Sequence, residues 1–143
     1  YHGVTGVQTC ALPICKFELI ELPECRLPDD PNGTQIAAGL AREAEQIEAK
    51  LPRGAWFCVL TPEGTELSSE GLAERLQAEK LNGRSAACFL IGSSFGIDAR
   101  IKRMADFRLS FSKMTFPHHL MRVMALEQLY RAESILAGTR YHK

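Results

Sequence analysis

Apolar residues recur along this chain with two different periods, and the alternation between them predicts the architecture. Lys16 to Leu22 (KFELIEL) reads as a strand that Pro23 ends, and the turn-formers of CRLPDDPNG make a loop after it. From Thr34, residues Ile36, Leu40, Ala44, Ile47 and Leu51 fall at helical spacing. Ala55 to Leu60 (AWFCVL) is a continuous apolar run, as expected of a strand buried on both faces. Ser68 and Ser69 can cap a helix to Leu81, which Asn82-Gly83 stops. Ser85 to Ile91 (SAACFLI) is a second buried strand, followed by the loop Gly92-Ser93-Ser94-Phe95-Gly96. A short helix from Asp98, a strand from Phe107 to Phe111 and a helix from Pro117 to Leu136 complete the pattern, with Gly138 placed as the final stop.

Strands alternating with helices predict an α/β fold with a mainly parallel sheet and flanking helices. The last helix adds a constraint. Leu120, Met121, Val123, Met124, Leu126, Leu129, Tyr130, Ile135 and Leu136 spread over nearly its whole circumference. A helix apolar all round is buried all round. In so small a domain one face packs on the sheet and the other calls for a second chain, most simply in a homodimer.

The length of 143 residues suits one domain, and no stretch approaches the roughly 20 apolar residues of a membrane-spanning helix, so a soluble protein without a membrane partner is expected. Seventeen basic and seventeen acidic residues cancel, but unevenly. Residues 16–97 hold eight Lys/Arg against thirteen Asp/Glu, and residues 98–143 hold nine against four. The C-terminal third is thus net +5, enough for a local anion-attracting face. The five cysteines (Cys10, Cys15, Cys25, Cys58, Cys88) form no CxxC pair and no ligand-like spacing to His. No metal site and no disulfide framework is expected, and a reducing cytoplasm fits best.

Residues 4–14 (VTGVQTCALPI) resemble, in frame, the conceptual translation of a sequencing adapter. Residues 1–14 are therefore set apart from a single domain over residues 15–143. Val4, Val7, Leu12 and Ile14 are expected to be loosely placed, and Lys16 to Leu22 to pair on one side only beside a vacant strand position.

Ligands of open α/β sheets bind beyond the carboxyl ends of the strands. Those ends here are Leu60 onward with Thr61-Pro62-Glu63-Gly64, Gly92 to Gly96, and Phe111 to Phe116. Glycines in the first two loops let backbone approach a ligand closely. No GxGxxG follows an early strand and no GxxxxGK[ST] occurs, which argues against a dinucleotide enzyme, a P-loop enzyme or a nucleotide-binding regulator.

The run Leu109-Ser110-Phe111-Ser112-Lys113-Met114-Thr115-Phe116-Pro117-His118, then Leu120-Met121-Arg122-Val123, Glu127 to Ala132 (EQLYRA) and Tyr141-His142-Lys143 resemble the large-subunit ribosomal RNA methyltransferase H family, of the SPOUT class. FELIELP, LSSE, LNGR and FLIG extend the resemblance over residues 16–143. It implies a SPOUT trefoil knot in the C-terminal part, a homodimer, and N3-methylation of a pseudouridine of 23S rRNA in the assembled ribosome, with S-adenosylmethionine as cofactor. By the same resemblance the cofactor pocket falls on Leu60, Gly92, Phe111, Ser112, Lys113, Met114, Thr115 and Phe116. Backbone groups of the converging loops would read the adenine edge, and Leu60, Met114 and Phe116 would enclose the ring. Tyr141 and His142 resemble the family's tail, His142 as base or positioning group. Arg131 is a candidate for phosphate or target-base contact. His118, at a helix start, is read as structural.

The chain departs from the family where two consecutive glycines become Gly92-Ser93, and where the Asp after the pocket leucine becomes Thr61. A positive φ at Ser93 would cost roughly 1 kcal/mol or more. An alternative rests on these departures, namely a dimeric RNA-binding scaffold with impaired cofactor binding. The family's first strand and helix are also missing, which would leave unpaired backbone groups in the sheet at about 1–3 kcal/mol each.

Overall fold

A computed structural model describes residues 4–11 and 16–143, with side chains from Glu18 onward. In chain order it contains β1 (Val4–Ala11), β2 (Lys16–Pro23), α1 (Gly33–Lys50), β3 (Trp56–Glu66), α2 (Ser69–Leu81), β4 (Ala86–Ile91), α3 (Ala99–Met104), β5 (Phe107–Ser110) and α4 (His118–Leu136). The strands form one sheet in the order β2-β1-β4-β3-β5. β3 is parallel to β4 and β5, while β1 is antiparallel to both its neighbours. Four strands therefore run one way and β1 alone opposes them, the mainly parallel α/β sheet that the pattern predicts.

Alternation along β3 divides the core into two layers. Trp56, Cys58 and Leu60 join Leu72, Leu76, Phe89 and Leu129 beneath α2 and α4. Phe57 and Val59 join Ala44, Ile47, Leu90 and Ile101 beneath α1 and α3. Burial pushes the Cys88 thiol up to about 12 and that of Cys58 upward too, so both behave as small apolar groups. Among the described residues no helix is long and apolar enough to cross a membrane.

Helix ends are set locally. The Asn32 side chain accepts from the Gln35 amide at 2.8 Å and the Gln35 side chain accepts from the Asn32 amide at 2.9 Å, a reciprocal cap on α1. Ser68 caps α2 by accepting from the Gly71 amide at 2.9 Å. After α2 and α4, Gly83 (φ 90°) and Gly138 (φ 72°) turn left-handed. The amides of Arg84 and Thr139 then reach back to the carbonyls of Glu79 and Ser134, both at 3.0 Å. Asp106 fixes the entry to β3 and β5: its amide donates to the Phe57 carbonyl and its carboxylate accepts from the Phe57 amide, each at 2.8 Å.

Two expectations need correction. Val4–Ala11 was not expected to form a central strand, yet it pairs along its whole length with β2 and with β4 from Gly6 to Ala11. The physical reason is that two neighbouring strands present a full row of donors and acceptors to the slot between them. Any extended backbone satisfies that row, whatever its side chains. A short connection to β2 also keeps loop closure cheap. The looseness expected of Val4, Val7, Leu12 and Ile14 falls on side chains outside the described residues.

The second correction concerns Thr61 to Gly64, read as a loop. β3 continues through it to Glu66, with a register shift between Leu60 and Thr65 against β5. The irregularity lets the strand leave the buried layer while still pairing. Gly64 lies so near β5 that an added Cβ would sit 2.7 Å from the Arg108 carbonyl oxygen, so this glycine serves a strand contact and not a ligand.

One carboxylate lies in the interior. Glu43, on the buried stripe of α1 and 6% exposed, accepts from the Cys25 amide at 3.1 Å and from the Ser93 hydroxyl at 2.9 Å. Burial is the main cause of its raised pKa, helped by the neighbouring Glu24 and opposed by these two hydrogen bonds.

Two outcomes follow from this packing. Gly64→Ala should lower stability by about 1–3 kcal/mol, read from the urea midpoint. Gly33→Ala, where a Cβ meets nothing within 4 Å, should change it little. Glu43 offers a test with pH. Its folded-state pKa lies above the ordinary 4.5, so its stabilising contribution is complete below that value and is lost as pH rises through the folded one. Glu43→Gln, neutral throughout, should gain on the wild type as pH climbs out of the acid range. A wild type that instead gained on the variant would show the carboxylate to be favoured in its charged form.

Candidate active site

The carboxyl ends of β3, β4 and β5 open onto one cavity of about 740 Å³. Its walls come from Leu60–Glu63, from the segment Ile91–Ile97, from Lys102 of α3, and from the run after β5 that leads into α4 as far as Met121. Of the eight residues expected to hold a cofactor, Leu60, Gly92, Phe111, Ser112, Met114, Thr115 and Phe116 line it, and Lys113 does not. His118, read as structural, also lines it.

Short polar ties hold the walls. The Ser110 hydroxyl, 2% exposed, lies 3.0 Å from the Pro62 carbonyl and 2.9 Å from that of Ser112, joining the first wall to the third. The Ser112 hydroxyl accepts from the Met114 amide at 3.1 Å and so closes the turn that carries Met114. On the second wall, Ser93 is anchored to Glu43, and the Ser94 amide donates to the Glu24 carboxylate at 2.9 Å. Among the described residues no side-chain-bearing residue has a positive φ, so Ser93 carries no such strain. Gly92 is required for a reason other than the one expected. A Cβ there would lie 2.5 Å from Ile97 Cγ1 and 2.9 Å from the Gly96 carbonyl oxygen. It would break the fold of the loop before it met any ligand.

Charge at the cavity resides on Glu63 and Lys102, which form an ion pair. Lys102, with the Thr61 hydroxyl as the next contributor, lowers the Glu63 pKa to about 2.

The remaining expected residues come together, but elsewhere. Arg131 donates to Glu127 Oε1 from Nε at 2.8 Å and from Nη2 at 2.5 Å. Its Nη1 is 3.1 Å from His142 Nδ1, and His142 Nε2 is 2.6 Å from Glu70 Oε1. Because Arg only donates, Nδ1 accepts and Nε2 carries the hydrogen given to Glu70. The Tyr141 ring lies 5.0 Å from the Arg131 guanidinium and edge-on to Tyr130 at 4.7 Å. Tyr141 also donates to Glu127 at 3.4 Å. None of Arg131, Tyr141 and His142 lines the cavity. Met121 and Arg131 of α4 lie ten residue steps apart, about 15 Å at the helical rise.

Sequence reasoning missed Glu43, Glu63, Lys102, Glu70 and Glu127. Glu43 left a signal, as an acid on the apolar stripe of α1 between Gly39 and Ile47. The others sit on exposed or half-exposed faces, where charge is ordinary. Among the described residues no group of His, Cys, Asp or Glu is arranged to hold a metal ion.

Comparison with known proteins finds relatives over nearly the whole chain. A family model described as a predicted SPOUT methyltransferase matches residues 6–142. The chain is similar to the ribosomal RNA large subunit methyltransferase H of Acetivibrio thermocellus, 43% identical over 129 residues, which are 90% of this chain and 81% of that protein. The protein of that name from Clostridioides difficile is 40% identical, with 90% and 81% covered. A putative one from Methanococcus maripaludis is 41% identical, with 90% and 80% covered. With its sheet, its cavity at the carboxyl ends and this match along nearly its full length, the chain belongs to the SPOUT methyltransferases, whose fold is a trefoil-knotted α/β domain.

Proposed function

We propose that this protein methylates ribosomal RNA, transferring the methyl group of S-adenosylmethionine to N3 of a pseudouridine of 23S rRNA in the assembled ribosome, as a homodimer in the cytoplasm. The observation that carries the reading is the cavity, because seven of the eight residues that resemblance assigns to the cofactor converge on it. The names borne by the relatives support rRNA as substrate.

The cavity fits the cofactor in size and character. A volume of about 740 Å³ lies in the range of small-molecule sites. Leu60, Ile91 and Phe116 offer apolar walls to an adenine ring, and the backbone from Phe111 to Phe116 offers polar groups for its edge. When bound, the cofactor supplies an electrophilic methyl group. The chain must position the target nitrogen in line with it, exclude water and take up the N3 proton.

In one subunit His142 does not reach that proton, because it lies with Arg131 and Glu70 at a part of α4 away from the cavity. A second copy resolves the separation. Leu120, Val123 and Tyr130 of α4 are 46%, 62% and 59% exposed, an apolar face to match a partner. Across it the tail of one subunit would serve the cavity of the other, with His142 as base or positioning group, Tyr141 beside it and Arg131 held for phosphate. Against the scaffold alternative, Ser93 carries none of the backbone strain that a positive φ would impose.

Calorimetry should show S-adenosylmethionine binding to the wild type and none to Gly92→Val. Deleting Tyr141 to Lys143 should leave binding intact while methyl transfer falls by about 10²-fold or more. Mixing the two variants should recover activity, because one composite site in the mixed dimer is whole. A wild type that fails to bind would refute the cofactor reading, and a tailless enzyme at full rate would remove His142 from the reaction.

A further inference from the structure

We infer that Glu63 and Lys102 form a subsite for the zwitterionic amino-acid end of the ligand, Glu63 taking an α-ammonium and Lys102 an α-carboxylate. The inference rests on the cofactor reading above and adds to it the recognition of the cofactor's charged end.

The pair stands on two separate elements. Glu63 lies in the outer half of β3, beyond the point where the strand leaves the core, and Lys102 in α3. Both line the cavity, whose other lining residues are apolar, hydroxyl-bearing, glycine or histidine. A cavity with one fixed anion and one fixed cation is complementary to a ligand carrying one of each. A ligand with a single charge would leave one partner of the pair unmatched.

Energetics favour an exchange of partners. The side chains of Lys102 and Glu63 are 28% and 58% exposed, and ion pairs so placed contribute little because solvent screens them. Opening the pair to admit a zwitterion therefore costs little, and two new pairs replace the one lost. Glu63 is ready for this role at neutral pH: Lys102 and the Thr61 hydroxyl keep it ionised, and Thr61 is itself buried. The hydroxyl remains as a partner for the carboxylate when Lys102 turns to the ligand.

Two ligands separate this subsite from the rest of the cavity. S-adenosylhomocysteine carries the amino-acid end, and 5′-methylthioadenosine has the same nucleoside and sulfur without it. Calorimetric titration of each into the wild type, Glu63→Gln and Lys102→Gln gives the comparison, with thermal melting to confirm that the variants fold. In each variant the affinity for S-adenosylhomocysteine should fall about fivefold, while that for methylthioadenosine changes less than twofold. Equal losses for both ligands would mean that the pair only shapes the cavity, and no loss for either would remove it from recognition. Both outcomes overturn the inference and leave the cofactor reading standing. A wild type that binds neither ligand would overturn both.

Discussion

Burial of β3 on both faces is the constraint from which the other features follow. From Ala55 to Leu60 no residue is more than 8% exposed, and none carries a polar side chain other than a thiol or an indole. Such a strand is stable only with a paired neighbour on each edge and a helical layer on each side. β4 and β5 supply the edges, α2 with α4 one layer, and α1 with α3 the other. Since β3, β4 and β5 run in parallel, their carboxyl ends emerge together, and the cavity lies where they emerge. The change of character at Thr61 is part of the same design. Once past the core, β3 turns polar and exposed, and it brings Glu63 into the cavity wall.

The walls are irregular backbone, which needs its own polar partners. Buried hydroxyls and one buried carboxylate provide them: Ser110 between the first and third walls, Glu43 beneath the second. A cavity held in this way is preorganised, so a ligand need not order it on binding. The same economy explains Ser93. A glycine at this position would be freer, but the serine hydroxyl ties the loop to α1.

Much of the fold was legible because it is written in local signals. The apolar runs at AWFCVL and SAACFLI, the cap at Ser68, and the stops at Gly83 and Gly138 all act within a few residues of themselves. Pairings set by backbone alone were not legible. Nothing in the side chains of Val4–Ala11 announces a strand between β2 and β4, since the vacancy it fills belongs to other elements. The site divided along the same line. Resemblance gave its backbone-rich walls, but the partners of charged groups depend on packing at long range. Glu43 meets Ser93 fifty residues away, and His142 meets Glu70 across seventy-two. The sequence also suggested one cluster of site residues, whereas the cavity takes in Met121 near the start of α4 and Arg131, Tyr141 and His142 gather farther along it.

Charge bears on how RNA is gripped. A C-terminal third of net +5 is modest for tight binding to free RNA, whose phosphates reward many simultaneous contacts. The account therefore assigns the ribosome's shape a part in recognition. The most direct measurement is nucleoside mass spectrometry of 23S rRNA after ribosomes lacking the modification are incubated with the protein and S-adenosylmethionine. The account predicts N3-methylated pseudouridine from assembled ribosomes and little from naked 23S rRNA. Ribosomes left without methylated pseudouridine by a folded, cofactor-binding protein would contradict it.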